Sequence, residues 1–405
     1  MTGFIPYGRQ DINDADIAAV VATLKSDYLT QGPAVEKFEE ALAEYLGAKH
    51  VIAVSNGTAG LHIAYLAAGV SKGDAVIVPA ITFAATANAA LYCGATPVFA
   101  DIDLSTGSIN PESVERAIKL AKAKGLTPKV LATVHYAGRP CDMQALVEIA
   151  KTHGLTIIED ACHAVGAEYR LDPKEKFQKV GSADWTSMAV FSFHPVKHIT
   201  TGEGGAVTTN DPKIAKNLRL LRSHGITKNA KDYQNQNRAF ESGESNPWYH
   251  EMQTLGLNYR TCDIQASLGE SQLQRVTQMV SRRREIAATY DKAFANLPFI
   301  TPAAADSESG RHSYHLYPIQ VDFKGLKTTR AKFMSALREK GVGSQVHYLP
   351  VPWHPYYENN RDLWLSDDLK NAETFYGAEV SIPMYSAMSS NDDSRVIDAI
   401  TALTR

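Results

Sequence analysis

Apolar and polar positions along the chain follow two alternating periods. Short β-branched or apolar runs recur at Val51–Val54, Ala75–Val78, Pro97–Ala100, Lys129–Val134, Thr156–Ile158, Met188–Phe193 and Ala206–Thr209, and each predicts a strand. Between the earlier runs, Ala59–Ala68, Ala84–Cys93, Pro111–Lys124 and Met143–His153 repeat apolar residues at helical spacing. Ahead of them, Ile17, Val20, Val21 and Leu24 predict a first helix with Asp14 as its candidate cap. A second helix, Val35–Leu46, meets a stop at Gly47. Strands alternating with helices predict an α/β fold with a mostly parallel central sheet and helices on both faces. Such a sheet places its ligands beyond the carboxyl ends of its strands.

The pattern changes near residue 215. Lys228–Trp248 is rich in Asn, Gln and Glu and reads as a surface excursion, either a lid or a disordered loop. A long helix, Ile264–Asn296, then leads into a smaller α+β region, with strands at Tyr314–Val321 and Gly343–Tyr348 and a helix at Thr329–Lys340. The expected division is a large α/β domain over 1–280 and a small C-terminal α+β domain over 281–405. The charged segment Arg170–Lys179 looks like an extra loop.

Ala75–Ala100 contains no charged residue and is long enough to cross a bilayer. It also holds Pro79, Asn88, Gly94 and Pro97, so strand–helix–strand is the better reading, since a βαβ unit covered on both faces is nearly uncharged. The 405 residues are 44% hydrophobic and 21% charged, which excludes a disordered or collagenous chain. A net charge of −3 supplies no polycation for nucleic acid or an anionic membrane. Cys93, Cys141, Cys162 and Cys262 are far apart, so neither a disulfide framework nor a structural zinc site is written here. The N-terminus shows no signal-peptide pattern, and a reducing, cytoplasmic location is expected.

Several cofactor signatures are missing: Gly-x-Gly-x-x-Gly, Gly-Lys-Ser/Thr and Gly-x-Ser-x-Gly do not occur where they would need to. His194 and His198 have the spacing of a helical zinc pair, but Pro195 lies between them and no acidic third ligand is near, so no metal is expected. Three strand ends carry more specific chemistry. Ser55, Asn56, Gly57 and Thr58 precede an apolar helix, which suits either an anion or a plain N-cap. Glu159 and Asp160 end a buried strand and need a partner there, whether a ligand, a cation or a cap. Lys197 lies between the strand ending at Phe193 and a glycine turn, Gly202 to Gly205, although a surface lysine would also fit. Together they match what pyridoxal phosphate requires: a cradle for its phosphate, a carboxylate for its ring nitrogen and a lysine for its aldehyde. A free lysine with pKa ~10.4 is only about one part in two thousand neutral at pH 7, so such a lysine needs neighbours that lower its pKa.

These residues carry a resemblance. Phe191-Ser192-Phe193-His194-Pro195-Val196-Lys197 with its glycine turn, and Glu159-Asp160-Ala161-Cys162-His163-Ala164, make the chain similar, end to end, to the DegT-type sugar aminotransferases. These are fold-type I pyridoxal-phosphate enzymes that act on nucleotide-linked keto-sugars. Ile5-Pro6-Tyr7-Gly8-Arg9-Gln10, Leu29-Thr30-Gln31-Gly32-Pro33, Leu221–Ile226 and Gln345-Val346-His347-Tyr348 most resemble the branch that serves pseudaminic acid synthesis. The resemblance implies that Lys197 is the Schiff-base lysine and proton shuttle. It implies that Asp160 pairs with the ring nitrogen, His163 lies near the ring hydroxyl and Phe83 stacks on the ring. Gly57, Thr58 and Ser192 would hold the phosphate, with Asn258 reaching it from the partner in a homodimer with shared sites. Tyr7, Leu29, Thr30, Gln31, Gly32, Asn56, Ser192, Asn258, Gln345, Val346, His347 and Tyr348 would line the substrate site. The implied substrates are a UDP-linked keto-sugar and glutamate. Three alternatives differ from this reading: a sugar dehydratase with histidine in place of Lys197, a sister aminotransferase making another amino sugar, and a non-catalytic regulatory protein lacking Lys197 or Asp160.

Overall fold

The computed structural model describes residues 3–404. Each predicted run forms a strand: β1 His50–Val54, β2 Asp74–Pro79, β3 Thr96–Ala100, β4 Thr127–Val134, β5 Thr156–Asp160, β6 Met188–Ser192 and β7 Gly205–Thr209. They lie in one sheet in the order β1-β7-β6-β5-β4-β2-β3, and Leu365–Ser366 adds a short edge strand beside β3. All neighbours from β6 to that edge are parallel. Only β7 is reversed, antiparallel to both β6 and β1. The carboxyl ends of β1, β2, β4, β5 and β6 therefore share one edge.

Gly205 makes the reversal possible. A Cβ there would lie 2.7 Å from both the Asn56 carbonyl carbon and the Phe191 carbonyl oxygen, so only glycine lets β7 begin against these two backbones. The strands are almost wholly buried, and a separate apolar core packs on each face of the sheet. The uncharged Ala75–Ala100 stretch is β2, the helix Ala85–Tyr92 and β3. Among the described residues no helix is long and apolar enough to cross a membrane.

A third core gathers Ile286, Tyr290, Phe294, Tyr317, Ile319, Val380 and Ile400. It packs on a small antiparallel sheet of Ile300–Thr301, Tyr317–Val321 and Glu379–Ile382.

Four expectations need correction. The first helix is Asp14–Leu24, but its cap is Asn13, which closes a reciprocal capping box with Asp16. Its apolar stripe does not face the core: Ile17 is 55% and Leu24 54% exposed. The helix instead docks through Asp16, which takes hydrogen bonds from Ser271 Oγ (2.6 Å), Gln272 Nε2 (2.6 Å) and Arg275 Nη2 (2.8 Å).

The long helix is two helices, Asp263–Leu273 and Val276–Phe294. Arg275 leaves the helical conformation between them and reaches Asp11 O and Asp16. Gly343–Tyr348 is not a strand; only Gln345 bridges to Ser381. The backbone N–H of His347 goes instead to the Glu379 carboxyl, at 2.8 Å.

The excursion after Lys228 is folded. Glu251 organises it by accepting from Gln234 N (2.6 Å), Asn235 N (3.2 Å), Tyr249 Oη (2.8 Å) and Gln253 Nε2 (2.9 Å). The Arg170–Lys179 loop is held as well, with Phe177 packed between the guanidinium groups of Arg170 and Arg311.

Candidate active site

Beyond the shared carboxyl edge of the sheet lies a cavity of about 820 Å³. Successive strand ends supply its walls. After β1, Asn56 caps the helix Gly57–Ala67, its Oδ1 accepting from Ala59 N at 2.8 Å. The plain-cap reading of Asn56 therefore holds for that oxygen, while its amide nitrogen is left for a ligand. Gly57 opens the helix hard against β6: a Cβ there would lie 3.0 Å from Ser192 Cβ and 3.1 Å from Cys162 Sγ. The glycine thus brings free helix N–H groups beside the Ser192 hydroxyl, a donor set suited to a phosphate.

After β5, Asp160 is buried and turned into the cavity. Its Oδ2 accepts from Thr86 Oγ1 at 2.7 Å, and its Oδ1 from Cys162 N at 3.3 Å. Thr86 has one hydroxyl proton and spends it on this carboxylate. Thr82, 2.8 Å away, then donates to Thr86. Glu159 points to the other face, as strand alternation requires. There it meets His135 Nε2 at 2.8 Å and the Thr186 hydroxyl at 2.5 Å. Adjacent carboxylates in the sequence thus have separate partners, and only Asp160 faces the cavity.

Past β6 the chain turns through His194 and Pro195 to Lys197. Lys197 keeps accessible surface because it lines the cavity, yet protein closes around it. Burial lowers its pKa, while the nearby Cys162 thiol and Asp160 carboxylate oppose that shift. The result is a lysine more readily neutral than one in water. Burial, reinforced by Lys197, His347 and His198, holds the His163 imidazole well below its ordinary range and keeps it neutral. His163 Nε2 is 3.1 Å from Tyr348 Oη, and its buried Nδ1 has no partner among the described residues. Phe83, at the rim, is 61% exposed, with its ring centroid 6.2 Å from that of Tyr348. A flat aromatic left open beside a lysine and a buried carboxylate is a platform for a planar ligand.

The cavity gathers Lys197, Asp160, His163, Gly57, Thr58, Phe83, Ser192, Tyr7, Asn56, His347 and Tyr348 within one chain. It does not gather Leu29, Thr30, Gln31, Gly32, Asn258, Gln345 or Val346. Gln31 and Gly32 line a second cleft with Arg219, Arg222 and Arg260. Leu29–Gly32 is held there by Asp263, which takes the Gly32 N–H at 2.8 Å and donates its own to Leu29 O at 3.1 Å. Asn258 and Gln345 are exposed. Sequence reasoning missed Thr82, Thr86 and His315. The threonines flank Phe83 by one and three residues, a proximity that could have flagged them. His315 packs its ring 4.3 Å from His163, and its carbonyl is held by the buried Arg283 at 3.2 Å. No local signal marks it. Among the described residues no group of three or more His, Cys, Asp or Glu is placed to hold a metal ion.

Comparison with known proteins bears on this geometry. Residues 10–401 match the DegT/DnrJ/EryC1/StrS aminotransferase family. The spore coat polysaccharide biosynthesis protein SpsC of Bacillus subtilis is 39% identical over 404 residues, which is 99% of this chain and 97% of that protein. PseC of Helicobacter pylori, an aminotransferase involved in the biosynthesis of pseudoaminic acid, has a solved structure that superposes with a TM-score of 0.85 at 32% identity, covering 99% of each chain. The PLP form of Spr1654 from Streptococcus pneumoniae, a putative sugar aminotransferase by description, has a TM-score of 0.84 at 29% identity, covering 99% of this chain and 98% of that one.

Proposed function

Because the chain belongs to the DegT/DnrJ/EryC1/StrS family and is a pyridoxal-phosphate-dependent sugar aminotransferase, we propose that it aminates the 4-keto position of a UDP-linked 2-acetamido-6-deoxyhexose. Glutamate is the proposed donor, and pseudaminic acid synthesis the proposed pathway. The observation that carries the reading is one cavity joining Lys197 and Asp160 to Tyr7 and His347, which come from opposite ends of the chain. Similarity to PseC over 99% of both chains supports the pathway.

Pyridoxal phosphate, when bound, supplies an electron sink and a temporary carrier for the amino group. The residues present suit it: helix N–H groups beside Ser192, a buried carboxylate, an open aromatic face and the orphaned Nδ1 of His163. In our reading Gly57, Thr58 and Ser192 would bind the phosphate and Phe83 would offer its ring as a platform. Asp160, its carboxylate oriented by Thr86, would pair with the ring nitrogen, and His163 would meet the ring hydroxyl. Lys197 would hold the cofactor through its Nζ, and the same Nζ would hold and deliver a proton at the reacting carbon, a role its lowered pKa favours. Tyr7, Asn56, His347 and Tyr348 orient the sugar nucleotide.

The test is product NMR with the UDP-linked 4-keto-L-arabino sugar and its 5-epimer supplied separately. Amination of the L-sugar to a 4-amino-L-altrosamine product is the expected result. Efficient amination of the D-epimer alone would move the enzyme to a sister reaction. Turnover of amino acids alone, with neither sugar aminated, would remove the sugar assignment.

The same proposal includes a homodimer with shared sites. Ile17, Val21, Leu24, Tyr28 and Leu29 are exposed apolar residues on and just after the first helix. Leu29–Gln31 and Asn258 are exposed as well and lie outside their own chain's cavity, where a two-fold partner can use them. Mixing an inactive Lys197 variant with an inactive Asn258 variant should therefore restore activity in heterodimers. A fully active monomer at high dilution would contradict the shared site.

A further inference from the structure

His347 is gripped on three sides by groups that no motif announced. Its carbonyl accepts from Tyr136 Oη at 2.6 Å, and its N–H donates to Glu379 Oε2 at 2.8 Å. Its Nδ1 lies 2.8 Å from Ser381 Oγ, which in turn lies 2.6 Å from Glu379 Oε1. Glu379 and Ser381 are completely buried on the strand Glu379–Ile382. Nε2 is then the ring nitrogen left over: among the described residues it has no partner, it is not among the buried orphan atoms, and His347 lines the cavity. A continuous chain, carboxyl to hydroxyl to imidazole, thus runs from the interior to the sugar end of the active site.

We propose that Glu379, acting through the Ser381 hydroxyl, sets the tautomer of His347 and so makes Nε2–H a hydrogen-bond donor to an oxygen of the sugar nucleotide. Hydrogen-bond bookkeeping dictates the link. Ser381 has one proton. When Glu379 is protonated it donates to Ser381 Oγ, Ser381 donates to His347 Nδ1, and the imidazole proton resides on Nε2. When Glu379 loses its proton to solvent, the Ser381 hydroxyl turns to the carboxylate and accepts from Nδ1–H. Nε2 then presents a lone pair. One proton leaves, and the cavity-facing nitrogen changes from donor to acceptor.

The groups around the chain favour the donor form at neutral pH. Burial pushes the Glu379 pKa up to about 8, against the Ser381 and His347 N–H hydrogen bonds and the Arg330 guanidinium. Tyr136 and Tyr348 also face this carboxyl and are neutral phenols. Arg330 Nη1 donates to the Tyr376 carbonyl and, at 3.5 Å, to the Glu379 backbone carbonyl, while its guanidinium stacks on the Tyr376 ring. Burial, with Lys197 across the cavity, lowers His347 to about 3, so the imidazole is neutral throughout. Glu379 and Ser381 are positioning residues in this account, since neither reaches the substrate. The inference rests on the sugar-nucleotide reading for its ligand, but the tautomer itself does not.

The experiment is 15N NMR of the holoenzyme labelled at histidine, with the His347 signals assigned by their loss in His347→Gln. Wild type should carry its proton on Nε2 at pH 7 and shift it to Nδ1 as pH rises past Glu379's pKa. Glu379→Gln keeps the size, donates permanently to Ser381 and should hold Nε2–H at every pH. An Nδ1–H tautomer at pH 7, or the same pH switch in Glu379→Gln, overturns the proposal whatever the substrate proves to be.

Kinetics supply the second arm. Losing one enforced hydrogen bond in Ser381→Ala should raise KM for the keto-sugar about tenfold, with a smaller change in kcat/KM for glutamate. Equal losses for both substrates would mean a merely structural role and overturn the link to the sugar. If wild type aminates no keto-sugar, the functional reading fails while the NMR arm still decides the tautomer. Folding of the variant is checked by its melt. Native enzyme keeps the Glu379 proton where the unfolded chain has lost it, so this group's contribution to stability falls as pH rises from the ordinary carboxylate range to about 8. Glu379→Gln should flatten that fall.

Discussion

Replacing Lys197 by alanine should stop turnover while leaving the fold and the cavity walls in place. The lysine contributes in two ways, and alanine removes both. In the proposed reading it is the amine that would hold the cofactor, and its Nζ is the base that would carry the proton in each half-reaction. Loss of a positioned acid–base group alone costs about 10²–10⁴ in rate, and loss of covalent catalysis adds to that. Structural damage is not a competing explanation. Lys197 makes no ion pair among the described residues, and burial already disfavours its charge. The two readouts are steady-state rate and borohydride labelling. Reduction should fix the cofactor to wild type and not to Lys197→Ala. A variant with near-wild-type activity would end the assignment.

Asp160→Asn carries the next largest effect. In the proposed reading the carboxylate would stabilise a protonated, electron-withdrawing ring nitrogen; asparagine has the same shape and no charge. A charge-assisted hydrogen bond is worth about 1.5–3 kcal/mol, so the expected loss in kcat is about 10- to 100-fold. The fold should survive, because the side-chain oxygen of asparagine can still accept from Thr86 Oγ1, the 2.7 Å contact that orients residue 160. Thermal melting separates the two effects: the variant should melt near wild type and turn over slowly. An unchanged turnover number and pH profile would return Asp160 to a purely structural role, such as closing the strand end with Thr86 and Cys162 N.

The two carboxylates at residues 159 and 160 illustrate how far local pattern reaches. Alternation along a strand separates them onto opposite faces, and this was legible from sequence. Which face holds the cavity was not, because it depends on where Thr86, two strands away, places its hydroxyl. The same distinction holds for helices. The stripe of Ile17, Val21 and Leu24 is written in the sequence, but its direction is not. Asp16 docks the helix through Arg275 and Gln272, more than 250 residues away in the chain, and turns the stripe outward.

By itself the sequence determined the α/β class, the seven strands, and the cluster of Lys197, Asp160, Gly57 and Ser192 at their carboxyl ends. Short-range rules suffice for these: residue period, glycine at turns and polar residues at strand ends. It also carried the family, through the motifs at its strand ends, and residues 10–401 match that family. Tertiary structure alone decided the rest. It broke the long helix at Arg275, withheld a strand from Gly343–Tyr348, and kept Leu29–Gly32 and Asn258 out of their own chain's cavity. It also joined Glu379 and Ser381 to His347. Each of these outcomes depends on hydrogen bonds between residues distant in the chain, and a buried polar group must take whichever partner the packed fold puts beside it.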